Sequence, residues 1–172
     1  MDNDLTQTER LFLRPTSLED AEFIFELFNS PKWLQNIGDR NICSTVDARD
    51  YIESKMLEQL ERLGFSNYTV LRKADGVKMG ICGLYDRDGV DGIDIGFAFL
   101  PQFEGQGFAF EAAMAVKHLA FERFGLKELK AITTQQNRVS QKLLEKIGMK
   151  KAGTMTLPND SEELWLYQIK HT

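Results

Sequence analysis

The run Ile93-Asp94-Ile95-Gly96-Phe97-Ala98-Phe99-Leu100 reads as a largely apolar strand, and Pro101-Gln102-Phe103-Glu104-Gly105-Gln106-Gly107-Phe108-Ala109 carries it past a proline stop and two glycines into a helix. A strand that passes directly into a helix calls for a sheet with helices packed on it and disfavours an all-α or an all-β chain. The same join can hold an anion. Its glycines let backbone N–H groups approach without Cβ obstruction, and the helix that follows adds orphan N–H groups and the positive end of its dipole. An ordinary strand turns into an ordinary helix in the same way, so the rest of the chain decides between the two.

A chain of 172 residues suits one domain, 1–172, with a proper core. Its 42% hydrophobic and 27% charged residues are ordinary for a globular protein, and no apolar run approaches the roughly 18 residues needed to span a bilayer. No membrane association is expected. Met1-Asp2-Asn3-Asp4 is acidic and has no apolar signal core, so a cytoplasmic location is the default. Cys43 and Cys82 form no CxxC pair, and His118 and His171 have no ligand-spaced companions, so no metal or disulfide framework is expected. Asp86, Asp88, Asp91 and Asp94 do not fall on the calcium-loop spacing. The net charge of −5 and the lack of a lysine or arginine stripe argue against nucleic acid as a partner. An anionic ligand must therefore be held by local donors and a few placed cations.

Along the chain, Leu11 to Arg14 reads as a short strand, and Thr16-Ser17-Leu18-Glu19-Asp20 as the start of a helix that buries Phe23, Ile24, Leu27 and Phe28. After an irregular segment from Trp33 to Cys43, a second helix runs from Ser44 towards Gly64. Phe65 to Arg72, Lys78 to Asp86 and Ile93 to Leu100 are joined by Asp-Gly and Gly turns and read as an antiparallel meander. A long helix from about Ala109 to Phe124 follows, then a strand from Glu128 to Thr134, a helix from about Val139 to Ile147, and strands Lys150 to Leu157 and Leu164 to Ile169. The fold class is α/β (α+β): a mixed, mostly antiparallel sheet of about seven strands in the order β-α-α-β-β-β-α-β-α-β-β, with helices on both faces. Its evident ligand position is where the third meander strand gives way to the glycine loop.

The loop lacks the marks of two familiar phosphate binders. Phe110 stands where a dinucleotide fingerprint needs its third glycine, and Thr133-Thr134-Gln135 ends the next strand where that fingerprint needs an acid. No lysine or hydroxyl follows Gly107, as a nucleotide-hydrolysing P-loop requires. A hydrolase triad is unsupported, because no GxSxG surrounds a serine. Asn137-Arg138-Val139-Ser140 opens the helix that ends at Gly148; Asn137 is a natural cap, and Asn137 and Ser140 can also donate hydrogen bonds to a ligand lying between this helix and the glycine loop.

The loop Glu104-Gly105-Gln106-Gly107-Phe108-Ala109 before Glu111-Ala112, with Asn137-x-x-Ser140 and Leu144-Glu145-Lys146-Ile147-Gly148-Met149, resembles the Gcn5-related N-acetyltransferase (GNAT) superfamily. Thr8 to Pro15, Leu18-Glu19-Asp20-Ala21 and Ile93 to Phe97 are similar to its RimJ/RimL-type branch, which acetylates N-terminal amines of ribosomal proteins. The resemblance covers nearly the whole chain. It implies a GNAT fold, acetyl-coenzyme A as acyl donor, and an amine acceptor that is a protein N-terminus or a small molecule, in a monomer or homodimer. It further implies that the backbone amides of Gly105, Gln106, Gly107, Phe108 and Ala109 hold the pyrophosphate, and that Phe97, Ala98 and Phe99 lie along the pantetheine arm with Asn137 and Ser140 on its other side. Gly96 and Ala98 are small, and the strand glycine marks a bulge or a close backbone approach. Two positions depart from the family pattern: Glu104 stands where the family loop often begins with glutamine or arginine, and Leu144 where many relatives carry a tyrosine as general acid. Protonation of the leaving thiolate then falls to Ser140, Tyr167 or water. Asp94 is the candidate general base, with Glu162 and Glu163 as rivals. Trp33 is a candidate wall of the acceptor cleft, although a core role is commoner for such aromatics. The alternative is a non-catalytic acyl-coenzyme A-binding or regulatory module.

Overall fold

The computed structural model describes residues 5–172. Eight strands form one sheet in the order β1-β2-β3-β4-β5-β6-β8-β7. They are β1 (Thr6–Gln7), β2 (Leu11–Pro15), β3 (Asn67–Arg72), β4 (Lys78–Tyr85), β5 (Asp94–Phe99), β6 (Glu128–Thr134), β7 (Lys150–Met155) and β8 (Leu164–Lys170). Five helices cover it: α1 (Ala21–Phe28), α2 (Pro31–Asn36), α3 (45–63, π-helical over Ile52–Leu57), α4 (108–123, π-helical over Leu119–Arg123) and α5 (Arg138–Lys146). The meander read from the sequence is present as β3, β4 and β5 in consecutive antiparallel register.

Two elements go beyond that reading. The two-residue β1 pairs antiparallel with β2 and brings the strand number to eight. Helix α2 lies in the segment expected to be irregular, with Pro31 in its first turn behind Ser30. Six residues are too short for helical periodicity to be visible, and the turn is anchored by Trp33, which is 7% exposed.

The sheet buries both faces. Leu11, Leu13, Val70, Leu84, Ile95, Leu129, Ala131 and Tyr167 belong to one core, together with Ala112, Ala113 and Val116 of α4 and Leu144 of α5. On the opposite face Ile81 and Leu100 join Ile24, Leu27 and Phe28 of α1 and Ile52 of α3 in a second core. The alternation of β5 explains the division: Ile95 and Phe99 point to the first core, and Ala98 packs against the second. Strand β5 carries no bulge. Its register with β4 runs unbroken from Tyr85↔Asp94 to Gly80↔Phe99, and the close approach that the strand glycine signalled is made by the ring of Tyr85 instead.

Candidate active site

Strands β5 and β6 are parallel neighbours joined at one position, Asp94↔Lys130, where the Lys130 N–H donates to the Ile93 carbonyl at 2.9 Å. Beyond it they part, while β5 stays paired with β4 and β6 with β8 as far as Thr134↔Leu164. The Ile93 carbonyl faces β6 and the Leu100 N–H donates to Met79 on the β4 side, so strand alternation turns the N–H and C=O of Phe97 towards β6. By the same rule those of Ile132 face β5. Backbone groups at such a position need partners, and neighbouring strands do not supply them here. The parting is therefore a slot that an extended ligand can fill as an added strand.

The glycine loop closes the upper end of β5. Gly105 and Gly107 have φ of +73° and +83°, a left-handed backbone that a side chain resists. A Cβ at Gly105 would meet nothing within 4 Å, so conformation rather than crowding requires that glycine. Gly107 is the N-cap of α4, leaving the N–H groups of the helix's first turn facing outward from an exposed loop. Phe108 is 5% exposed and anchors the turn in the first core.

Two cations that the sequence did not reveal flank this loop. Arg10 donates through Nη1 to the Gln106 carbonyl at 3.0 Å, and its guanidinium lies 4.3 Å from the centre of the Phe108 ring. Glu111 in the first turn of α4 holds it, accepting from Arg10 Nε at 2.8 Å, from the Arg10 N–H at 2.9 Å and from the Thr8 hydroxyl. Burial opposes ionisation of Glu111, but the Thr8 and Arg10 hydrogen bonds prevail and keep its carboxyl below the ordinary range. On the other flank Lys32 of α2 pairs with Glu104. The acidic residue that departs from the family pattern thus brings a lysine to the loop.

Helix α5 begins beside the end of β6. Asn137 Oδ1 accepts from the Ser140 N–H at 3.2 Å, so the capping role read from the sequence is present. Gln141, which the sequence reading did not single out, ties the helix to the strand by donating to the Thr134 and Gln135 carbonyls at 3.1 and 3.0 Å. Thr134 Oγ1 and Tyr167 Oη, on β6 and β8, are buried with no hydrogen-bond partner among the described residues.

Asp94 lies at the closed end of the parting, opposite Tyr85 of β4 and Lys130 of β6, and is 1% exposed. Arg87 Nε and Nη2 approach its two oxygens at 3.3 Å. Burial pushes the Asp94 carboxyl above its ordinary range, and Arg87 only partly offsets this. Glu162 and Glu163 are exposed in the β7–β8 loop. Trp33 sits inside the second core, its ring stacked on Phe28 at 3.9 Å, and its indole N–H is buried with no hydrogen-bond partner among the described residues. The structure therefore gathers Asp94, Phe97, Ala98, Phe99, the loop from Gly105 to Ala109, Asn137 and Ser140 around one parting, and puts Trp33 in the core behind it. Among the described residues no group of histidine, cysteine and carboxylate side chains could hold a metal, and no helix is long and apolar enough to cross a membrane.

Comparison with known proteins identifies the family. The model of the acetyltransferase (GNAT) domain matches residues 10–150. A protein of Bacillus licheniformis described as an uncharacterized N-acetyltransferase, p20, is 29% identical over 150 residues, covering 86% of this chain and 83% of the relative. An acetyltransferase from Agrobacterium tumefaciens shares the fold with a TM-score of 0.82 at 24% identity, covering 97% of this chain and 94% of that one. RimL, a ribosomal L7/L12 α-N-protein acetyltransferase solved with coenzyme A, superposes with a TM-score of 0.81 at 17% identity, covering 96% and 97% of the two chains. Matched by its domain model from the turn before β2 to the start of β7, the chain belongs to the GNAT acetyltransferase family.

Proposed function

We propose that this acetyltransferase uses acetyl-coenzyme A to acetylate a primary amine, which attacks directly in a ternary complex with no acyl-enzyme. The observation that carries this reading is the parting of β5 and β6 beside the glycine loop, which leaves the backbone of Phe97 and Ile132 without a strand partner among the described residues, where an amide-bearing arm would complete the sheet. The residues fit the cofactor. The left-handed Gly105 and Gly107 and the first turn of α4 suit a pyrophosphate; Arg10 and Lys32 stand beside the loop, each paired with a carboxylate, Glu111 and Glu104, so backbone donors carry the anion in a chain whose net charge of −5 opposes it. Asn137 Nδ2 and the Ser140 hydroxyl, at the half-buried start of α5 and with no hydrogen-bond partner among the described residues, are available to a ligand there.

When bound, the cofactor supplies an acetyl group activated as a thioester. The Phe97 N–H is placed to hydrogen-bond a carbonyl in the parting, and preorganised amides of this kind stabilise developing negative charge. Asp94 takes the proton of the amine, directly or through water, and Ser140 returns one to the leaving thiolate. The acceptor is a protein N-terminus or a small-molecule amine; the fold shared with RimL supports the first. The test is a thiol-release assay with acetyl-coenzyme A over N-terminal peptides, polyamines, amino acids and aminoglycosides. Thiol release with at least one of these acceptors is the expected result. Binding of the cofactor with no thiol release from any acceptor would overturn the reading in favour of a non-catalytic acyl-coenzyme A-binding module.

A further inference from the structure

A chain of buried side chains crosses the sheet beneath α1 and ends over Gly83 of β4, on the face of the sheet that carries Asp94. Asp20 is 0% exposed and is held by Arg14 Nη1 and Nη2 at 2.8 and 2.9 Å, by Lys78 Nζ at 2.7 Å and by the Ser17 N–H at 3.0 Å. Burial opposes its ionisation, yet these donors hold its carboxyl far below the ordinary range. Asp20 is therefore an acceptor only, and the Thr69 hydroxyl donates to it at 3.0 Å. With its single hydrogen committed, Thr69 Oγ1 must accept from Thr16 Oγ1 at 2.8 Å. Thr16 in turn accepts from Asn67 Nδ2 at 2.7 Å, which turns the Asn67 carbonyl oxygen towards Tyr85, and the Tyr85 hydroxyl donates to it. Thr16, Asn67 and Thr69 are all at most 2% exposed.

The sense of every bond in this relay is fixed from the Asp20 end. It leaves Tyr85 Oη with its hydrogen committed and its lone pairs free, and no described residue donates to it. The position of that oxygen is equally constrained. A Cβ at Gly83 would lie 3.0 Å from Tyr85 Oη, and one at Gly96 would lie 3.0 Å from Cε2 of the ring. Gly83 and Gly96 are cross-strand partners, so the ring lies across a floor of two glycines. The hydroxyl stands over Gly83, whose partner Gly96 lies one strand closer to the parting and two residues beyond the last β5–β6 bridge, about 7 Å further along β5.

We infer that Tyr85 Oη accepts a hydrogen bond from an N–H of the acceptor amine, and that Asp20, Thr69, Thr16 and Asn67 are positioning residues that hold it in the accepting sense. The inference rests on the N-acetyltransferase reading above. No proton moves along the relay, since the Asn67 amide interrupts it. An amine with one N–H on Tyr85 keeps its lone pair free for the thioester and a second N–H for Asp94.

The test compares steady-state kinetics and coenzyme A binding by calorimetry for the wild type, Tyr85→Phe, Thr69→Val and Thr69→Ser. Loss of one neutral hydrogen bond in Tyr85→Phe raises KM for the amine about three- to tenfold, while coenzyme A affinity stays within about twofold. Thr69→Val, which keeps the side-chain volume and the phenol but frees Thr16 and Asn67 to reverse, shifts KM the same way by a smaller factor. Thr69→Ser restores the wild-type value. A wild-type amine KM in Tyr85→Phe, or equal loss of amine and coenzyme A binding, overturns the inference and leaves the N-acetyltransferase reading standing. A wild type that releases no thiol with any amine overturns both.

Discussion

At the scale of single residues, Asp94 carries the clearest conflict between charge and burial. It was legible as an acid on a strand that leads to the glycine loop, but its partner Arg87, in the loop before β5, was not singled out. Burial raises the Asp94 pKa more than Arg87 lowers it, so the carboxyl ionises above the ordinary carboxylate range. The acid limb of kcat/KM should accordingly lie above that range. Asp94→Asn should abolish this limb, lower kcat about 10²–10⁴-fold and leave coenzyme A affinity unchanged. Stability follows with a definite sign. Between the ordinary pKa and the raised native one the folded state binds more protons than the unfolded chain, so this group's contribution falls as pH rises through that window. Melting curves of the variant should lack that fall, and a pH–rate profile identical to the wild type would remove Asp94 from the mechanism. Arg10 and Glu111 had no such local signal. They stand 101 positions apart, and only the docking of β1 and β2 against α4 brings them together under the glycine loop.

At the scale of elements, the start of α1 joins helix capping to sheet packing. Ser17 and Asp20 form the capping box that the hydroxyl-then-acid pattern suggested, a local motif that any chain segment can display. The larger role of Asp20 depends on Arg14 from β2, Thr69 from β3 and Lys78 from β4, so it emerges only when three strands are in register. For the same reason the sequence left Gly96 as either a bulge or a close approach, and only the paired sheet shows that the glycine makes room for Tyr85 of its neighbour. Asp20→Asn leaves two cations facing a neutral amide and should cost about 3 kcal/mol, since a buried pair loses one partner. For a chain of this length that lowers Tm by roughly 6–12 °C. The pH dependence has the sign opposite to that of Asp94. Asp20 has a lowered native pKa, so its stabilisation is complete above the ordinary carboxylate value and is lost as pH falls below it. Denaturant titrations from pH 6 downward should show the wild type and Asp20→Asn converging in acid; parallel curves would mean that the pair contributes nothing through its charge.

For the molecule as a whole, element order was readable because each element carries its own punctuation: Gly64, Gly125 and Gly148 end helices, and Asp-Gly turns close the meander. The parting of β5 and β6 was not readable, because nothing in Ile95 to Phe99 or in Ala131 to Thr134 records how far two parallel strands stay together. Its consequence is global. The sheet is two blocks, β1 to β5 and β6 to β8, bridged at Asp94↔Lys130 and sharing one core under α4 and α5. A ligand in the slot adds hydrogen bonds to both blocks at once, so it should stabilise the fold as a unit. Coenzyme A at about 100 times its Kd contributes about 2.7 kcal/mol, which corresponds to a rise in Tm of roughly 5–11 °C. Mass action alone gives that shift for any site, so the decisive readout is where protection appears. In hydrogen exchange the amides of Phe97 and Ile132 should slow sharply when coenzyme A saturates the protein. Those of Ile81 and Gly83, which already lie in paired strands, should change little. A rise in Tm with exchange at Phe97 and Ile132 left as it was would place the ligand outside the parting and leave the glycine loop as its only hold.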